Sequence, residues 1–192
     1  EVPSRGLGDV YKRQTFYYTF FGTIGSIVFG ILTAQLVNQK FFGRTFMRSV
    51  LLFPYVGPVV ALAYTWELLL DPYSGTLNNL LMNFQVIQEP LNLLGQKYLT
   101  INFFGFDLKL RLALTTVIIF EIWRYFPLAF LFILARLQAV PKELYEAAEV
   151  DGAGPFQKFI NITLPQITAV ISILFMIRFI WNFNKFEDIF LL

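Results

Sequence analysis

The sequence ELYEAAEVDG at residues 143–152, continued by ITLP at residues 162–165, forms the long polar segment in the apolar second half of the chain. Hydrophobic runs of membrane length lie on both sides of it, at residues 112–134 and 166–183. A polar segment between two membrane spans must lie at one membrane surface, where it can contact a soluble partner. Residues 136–165, which contain this segment, are called the elbow below.

Composition places the rest of the chain in a lipid bilayer. Of the 192 residues, 56% are hydrophobic and 15% are charged, whereas a soluble domain carries about 25% charged residues. The mean hydropathy is +0.59. A net charge of +2, scattered along the chain, is too small to predict a nucleic-acid partner.

Several kinds of chemistry are excluded by the residues that the sequence lacks. The chain has no Cys and no His, which removes Cys and His nucleophiles, thiolate and imidazole metal sites and disulfides. No G-x-x-x-x-G-K-[ST] loop occurs, so we do not expect the chain to hydrolyse nucleotide itself. We therefore predict no catalytic residue, no metal site and no cofactor.

Four hydrophobic segments are predicted to be membrane spans, namely residues 15–37, 49–70, 112–134 and 166–183. The first carries no charge and is about 35 Å long as a helix, enough for a hydrocarbon core of about 30 Å. Small residues recur along it every three or four positions and allow close helix approach; these are Gly22, Gly25, Ser26 and Gly30.

The second span contains helix-breaking residues, because Pro54, Gly57 and Pro58 interrupt it. They predict a kink or an unwound stretch. Such a break is compatible with a substrate path, as in transporters with broken helices, and with an ordinary kink relieved by neighbouring helices. The polar connection at residues 71–111 is expected to hold short amphipathic helices, such as residues 77–84, and is compatible with a brief strand within residues 99–110.

Polar side chains inside the last two spans form a second candidate site, comprising Glu121, Arg124, Arg178 and Asn182. A charge at the bilayer centre costs about 2.5 to 3.5 kcal/mol. Glu121 and Arg124 are three residues apart and can pair on one helix face. They are interpreted either as pathway or gating residues or, preferably, as an interhelical clamp with Arg178 or Asn182.

Basic residues predict the orientation of the spans. Residues 38–48 and the elbow lie on the same side and together hold six Lys and Arg residues, whereas residues 71–111 on the opposite side hold three. The positive-inside rule therefore places the elbow in the cytoplasm.

Turn-forming residues divide the elbow into two short helices. Pro141 can occupy the first position of one helix, and Gly152 supplies a left-handed stop. Gly154 and Pro155 start another helix with an apolar stripe. Pro165 disfavours helix at the preceding residue and turns the chain into the membrane.

The first of these helices combines small apolar residues with carboxylates. Leu144, Ala147 and Ala148 share a face, and an acidic row comprising Glu143, Glu146 and Glu149 lies beside them. The small residues let another surface approach closely, and the charges can fix its register. Paired carboxylates could instead serve acid–base chemistry, although the sequence offers no other group for an active site there.

The elbow resembles a known family. The pattern EAA-x3-G-x9-I-x-L-P is matched without a departure by Glu146, Ala147, Ala148, Gly152, Ile162, Leu164 and Pro165. It resembles the EAA loop of membrane permease subunits of binding-protein-dependent ABC importers. Residues 141–153, with the sequence PKELYEAAEVDGA, are similar to the carbohydrate-uptake branch related to the maltose permease. The sequences FPY at residues 53–55, WRYFP at residues 123–127 and WNFNKF at residues 181–186 are also similar to that branch.

The resemblance implies a fold and a function. The fold would be an all-α polytopic membrane protein, an ABC importer type I transmembrane domain of about four spans with a cytoplasmic coupling-helix elbow. The protein would be a permease subunit that forms the path for a sugar or sugar-like solute, without enzymatic activity of its own. Glu146 would form a salt bridge with a separate ATPase subunit, Ala147 and Ala148 would pack against that subunit, and Gly152 would allow the turn.

Partners and location follow from the same resemblance. They would be ABC ATPase subunits, a sister permease subunit, an extracytoplasmic solute-binding protein and membrane lipid, in a bacterial or archaeal cytoplasmic membrane. Residues 1–14 resemble translated adapter sequence and are expected to be a non-native leader. Residues 15–192 would be a permease domain truncated at both ends, lacking a helix before Thr15 and another after Leu192.

Three alternatives remain beside this interpretation. The same fold could import a non-sugar solute, such as a glycerol phosphodiester, a polyamine or an amino acid. A membrane-embedded enzyme could use Glu121, Arg124 or the acidic row. A non-catalytic membrane scaffold is the third.

Overall fold

A computed structural model of the chain describes residues 4–95, 99–103 and 106–184. The described helices are α1 (Ser4–Asn38), α2 (Arg44–Val56), α3 (Val59–Leu70), α4 (Thr76–Asn83), α5 (Leu112–Gln138), α6 (Lys142–Val150), α7 (Pro155–Lys158) and α8 (Leu164–Asn184). A π-helical turn, Phe159–Thr163, joins α7 to α8. Two strands, β1 (Leu99–Phe103) and β2 (Phe106–Leu110), precede α5.

The spans are helical, and the predicted all-α membrane fold is confirmed. Among the described residues, three segments are long and apolar enough to cross a membrane, namely Lys12–Asn38, Leu112–Gln138 and Pro155–Phe183. Helices α2 and α3 reach that length only together, which makes three spans, or four where this broken pair counts as one.

The ends of the chain extend beyond the predicted spans. Helix α1 begins at Ser4, so residues 4–14 of the expected leader are helical, and their non-native origin stays a prediction. Residues 1–3 of that leader, and Lys185 and Phe186 of the WNFNKF sequence, lie outside the described residues.

The predicted interruption of the second span is a complete break between two helices. Helix α2 ends at Val56 and α3 begins at Val59, with Gly57 and Pro58 between them. Pro58 has φ −60° and ψ 129°, an extended conformation at the N-cap of α3. Pro54 lies inside α2 without ending it. The break therefore occurs where a residue before proline is disfavoured in the α conformation.

Residues 20–56 and 122–183 form one compact unit. Its core comprises Ile27, Ala34, Val37, Phe126, Ala129, Phe130, Ile133, Leu134, Leu137, Ile167 and Leu174. The backbones approach closely at Gly30, where an added Cβ would lie 2.6 Å from the Cβ atom of Ala129 and 2.9 Å from the Phe130 backbone nitrogen. Phe29 packs edge-on against Phe126, with ring centroids 4.8 Å apart. The small residues of the first span thus bring α1 close to α5, as predicted.

A second compact unit includes residues 57–121. The buried Asn78 connects α4 with the backbone of Leu91. Its Nδ2 donates to the Leu91 carbonyl oxygen at 2.9 Å, and its Oδ1 accepts from the Leu91 N–H at 3.1 Å. Helix α4 matches the amphipathic helix expected near residues 77–84. Strands β1 and β2 form an antiparallel hairpin in which Leu99 is opposite Leu110 and Phe103 is opposite Phe106, in the segment that the sequence left open to a brief strand.

A tight turn follows α3 in the same unit. The Asp71 carboxylate accepts hydrogen bonds from the Ser74 N–H at 2.7 Å, the Ser74 hydroxyl at 2.9 Å and the Tyr73 N–H at 3.0 Å. These donors, the Ser74 backbone first, lower the pKa of Asp71 because they stabilise its ionised form.

Candidate functional site

Helix α6 begins one residue later than the sequence predicts. It starts at Lys142, and Pro141 is the N-cap with φ −58° and ψ 133°. The prediction that Pro141 occupies the first helical position is therefore wrong by one residue. The extended ψ of Pro141 places it before the helix rather than within it.

A Schellman motif ends α6 at Gly152. This residue has φ +77°, the left-handed conformation that favours glycine. The Ala153 N–H donates to the Ala148 carbonyl oxygen at 2.8 Å, and the Gly152 N–H donates to the Glu149 carbonyl oxygen at 3.0 Å. No atom lies within 4 Å of an added Cβ on Gly152. Glycine is thus needed there for its backbone conformation, which confirms the predicted stop.

The second helix of the elbow continues into the membrane span without interruption. Helix α7 starts at Pro155, where the Gln157 Oε1 accepts the Gly154 N–H at 2.9 Å. Leu164 is helical, with φ −60° and ψ −47°, so the prediction that Pro165 disrupts helix there is wrong. The π-helical turn just before Pro165 explains this difference, because its wider winding moves the preceding carbonyl groups relative to the proline ring.

Helix α6 is a surface helix, since none of its residues is buried. Of the seven residues of the family pattern, Glu146, Ala147, Gly152 and Pro165 are exposed, and Ala148, Ile162 and Leu164 are half-buried. Large apolar side chains are exposed beside them, including Leu144 and, most fully, Val150. Large apolar side chains exposed next to one another are typical of a surface that a partner covers.

Two contacts attach α6 to the segment that follows it. The Tyr145 hydroxyl lies 3.0 Å from the Thr163 Oγ1, and the Lys158 Nζ lies 2.5 Å from the Glu149 Oε1. The acidic row is therefore divided, because Glu149 pairs internally. Within the described part of the chain, Glu143 and Glu146 form no salt bridge of their own, which leaves Glu146 available to an external cation.

Arg136 joins the two membrane spans at the base of the elbow. Its Nε donates to the Gln166 backbone oxygen at 2.9 Å, and its Nη2 donates to the Gln166 Oε1 at 2.6 Å. The bond connects the last turn of α5 with the first turn of α8. In the sequence Arg136 stands out only as a positive charge, because a partner 30 residues away leaves no local pattern.

A cavity of about 440 Å³, lined by both polar and apolar residues, lies behind the elbow. Its lining comes from the end of α1, at Gln35, Asn38 and Gln39, and from elbow residues that include the Glu149–Lys158 pair. The face of α6 that carries Tyr145 and Glu149 therefore borders a cavity instead of packed side chains.

The polar residues predicted inside the last two spans are buried or half-buried. The Arg178 guanidinium carbon lies 3.8 Å from the centroid of the Tyr125 ring, a cation–π contact. Arg124 lies over the same ring at 4.9 Å. The Asn182 Nδ2 donates to the Thr23 Oγ1 at 3.3 Å. Arg178 and Asn182 thus attach α8 to the other two long helices of this unit.

Glu121, in the other compact unit, is fully buried. Its predicted pairing with Arg124 and its place in a clamp stay predictions. Among the residues that the structure describes, no group of three or more Asp, Glu, Cys or His side chains could hold a metal ion.

The chain is similar in sequence to several proteins that are named as transporter permeases. The chain is 37% identical over 179 residues to the inner membrane ABC transporter permease protein YcjO of Escherichia coli K12, covering 93% of this chain and 57% of that protein. It is 30% identical to the trehalose/maltose transport system permease protein MalF of Thermococcus litoralis, over all of this chain and 64% of that protein. It is 32% identical to the sn-glycerol-3-phosphate transport system permease protein UgpA of Yersinia pestis, over 91% of this chain and 55% of that protein. The chain thus spans between half and two thirds of these relatives.

A solved structure has the same fold. A bacterial ABC transporter that imports the acidic polysaccharide alginate aligns with a TM-score of 0.71 and 24% identity, over 86% of this chain and 54% of that one. The fold is accordingly that of an ABC importer transmembrane domain. A family model described as the binding-protein-dependent transport system inner membrane component matches residues 26–186, which include the elbow. The chain therefore belongs to this family of membrane components.

Proposed function

We propose that the protein is a permease subunit of an ATP-driven ABC importer and that the elbow couples it to a separate ATPase subunit. The observation that carries the proposal is the exposure of Glu146 and Ala147 on a helix without a buried residue. The same helix is attached from behind through Tyr145 and Glu149. Helix α6 thus presents a defined surface to a partner.

The chemistry of this surface fits a soluble, partly basic partner. The Glu146 carboxylate would pair with a Lys or Arg of the ATPase subunit, and the small side chains of Ala147 and Ala148 would allow close packing. Exposed Leu144 and Val150 would lose contact with water on docking. Closure of the ATPase pair on binding ATP would push the elbow and shift the spans between inward- and outward-facing states.

Nucleotide hydrolysis belongs to the partner in this proposal, because the chain has no phosphate-binding loop of its own. A sister permease subunit would complete the path through the membrane, and an extracytoplasmic binding protein would deliver the solute. The protein would be a multi-pass component of a bacterial or archaeal cytoplasmic membrane, with the elbow on the cytoplasmic side.

A sugar or sugar-like compound is the proposed solute. The alignment with the trehalose/maltose relative covers the whole chain and supports a sugar. The relative named for sn-glycerol-3-phosphate supports the alternative of a phosphorylated polyol. A binding screen on the cognate solute-binding protein distinguishes these solutes.

Charge reversal tests the docking surface. Glu146→Lys is expected to abolish uptake in the complete importer, because it replaces an attraction with a repulsion at the ATPase subunit. Gly152→Val is expected to do the same, because a β-branched residue does not adopt a φ of +77° without strain. Glu143→Lys, also exposed on α6, is the matched control. All three variants should insert normally, and undiminished uptake by Glu146→Lys would refute the coupling role.

Cross-linking tests the partner directly. The chain contains no cysteine, so Ala147→Cys introduces a single thiol into it. A thiol-specific cross-linker should join this residue to the ATPase subunit in membranes that contain the complete importer. Failure to cross-link, in an importer that transports normally, would remove α6 as the contact surface and leave a scaffold role open.

A further inference from the structure

We infer that Tyr145 and Thr163 are positioning residues whose hydroxyl contact holds α6 against the start of α8, so that a displacement of the elbow reaches the membrane span. The inference rests on the proposed coupling function. Tyr145 belongs to α6, and Thr163 is the last residue of the π-helical turn that leads into α8. Their oxygens are 3.0 Å apart, and neither residue is in the family pattern.

Tyr145 lies on the side of α6 opposite Ala147. At 100° per residue, Glu149 is about 40° from Tyr145 around α6 and Ala148 is about 60° away in the other direction, whereas Glu146 is about 100° and Ala147 about 160° away. Tyr145 and Glu149 therefore share the inner face, where their partners Thr163 and Lys158 lie. A partner can contact Glu146 and Ala147 without disturbing these contacts.

Three polar contacts connect Thr163, Lys158 and α6 with one another. The Thr163 Oγ1 donates to the Lys158 carbonyl oxygen at 3.5 Å, which leaves it free to accept the Tyr145 hydroxyl proton. The ammonium group of Lys158 forms an ion pair with Glu149 of α6. Thr163, Lys158 and α6 are thus held by three polar contacts that depend on one another.

The hydroxyl contact is better protected from water than the ion pair. Thr163 is 7% exposed, whereas the Glu149 side chain of the ion pair is 68% exposed and is screened by solvent. Apolar packing contributes little to the position of α6, because this helix has no fully buried residue and a cavity lies beside it. The contact between Tyr145 and Thr163 therefore contributes to the orientation of α6 relative to α8.

Hydroxyl deletion in the complete importer tests the inference. Tyr145→Phe and Thr163→Val remove one oxygen each with little change in shape. The measurement is the amount of solute transported per ATP hydrolysed in proteoliposomes. Each variant should lower this ratio on the order of 5-fold, which corresponds to the roughly 1 kcal/mol of one hydrogen bond. The double variant should fall no further than the more affected single variant, because both remove the same contact.

Two control variants separate coupling from general damage. Thr168→Val removes an exposed hydroxyl that bonds within α8, to the Leu164 carbonyl oxygen at 2.7 Å, and should leave the ratio unchanged. Thr163→Ser keeps the hydroxyl and should retain most of the ratio, even if Thr163→Val is poorly assembled. The inference would be overturned if Tyr145→Phe left the ratio unchanged and Thr163→Val gave the same ratio as Thr163→Ser. It would also be overturned if the losses of the two single variants added up in the double variant.

The Ala147→Cys cross-link distinguishes this failure from failure of the proposed function. If the cross-link to the ATPase subunit forms and the ratio does not respond to Tyr145→Phe, the coupling surface stands and the positioning role is refuted. If the cross-link is absent from the otherwise unaltered importer, the proposed function fails and the positioning role fails with it.

Discussion

Gly30 is the residue at which the packing of α1 against α5 can be tested most directly. Gly30→Ala would place a Cβ 2.6 Å from the Cβ of Ala129 and 2.9 Å from the Phe130 backbone nitrogen. A carbon–carbon contact needs about 3.5 Å, so the two helices would have to separate locally by about 0.9 Å. Backbone atoms cannot move aside as a side chain can, and the strain must therefore be shared by both helices.

The expected cost follows from two opposing terms. Overpacking a close interface costs about 1–3 kcal/mol, and a gap of up to 1 Å weakens neighbouring dispersion contacts by a quarter to a half. Replacing a helical glycine by alanine returns about 1 kcal/mol of helix propensity. Gly30→Ala should therefore lower the free energy of unfolding by up to about 2 kcal/mol, measured by circular dichroism during SDS titration in mixed micelles.

Gly25→Ala is the matched control, because it makes the same change on the same helix facing α5. Its Cβ would meet the Cδ1 and Cγ1 atoms of Ile122, a side chain that can change rotamer, so most of the propensity gain should be retained. Equal stability of the two variants, or a more stable Gly30→Ala, would refute the close approach at Ala129.

Three further predictions concern the unit that includes residues 57–121. Asn78→Ala should destabilise it by about 2 kcal/mol and speed proteolysis near Leu91, whereas the exposed Asn79→Ala should not; equal proteolysis rates would contradict this. Gln85→Gly should stabilise the protein by about 0.5–1 kcal/mol, because Gln85 has φ +57° at the end of α4, and unchanged unfolding would argue against that conformation. The lowered pKa of Asp71 means that its turn is stabilised above the pKa of the unfolded chain and loses this contribution as the pH falls through the folded value. The NMR chemical shift of the Ser74 amide should change as Asp71 is protonated. If the same change persisted in Asp71→Asn, another group would be responsible for it.

Local signals in the sequence predicted much of the fold and the limits of the elbow. Span length and the absence of charge are enough to predict helices in a bilayer. The Gly152 stop and the Gly154–Pro155 start were predicted because backbone conformation at these residues depends mainly on the residues themselves. The same reasoning failed at Leu164, where a π-helical turn accommodates Pro165, since such turns depend on the surrounding helix rather than on one residue.

Contacts between distant residues could not be predicted from local patterns. Tyr145 and Thr163 are 18 residues apart, and Arg136 and Gln166 are 30 residues apart. Arg178 was expected to contribute to a charged clamp, and its contact with the Tyr125 ring was missed because an aromatic face carries no charge to count. The sequence likewise gives no pattern that identifies residues in contact with the solute.

The unbroken helical path from Pro155 to Asn184 has a mechanical consequence. Arg136 donates two hydrogen bonds to this helical path at Gln166, so Gln166 can act as the point about which the helix turns. The arm from Gln166 to Pro155 is about 16 Å long and the arm from Gln166 to Asn182 is about 24 Å, at 1.5 Å per residue. In the proposed coupling, a rigid helix turning about that point would multiply a displacement at the elbow by about 1.5 and reverse its direction at the buried Asn182.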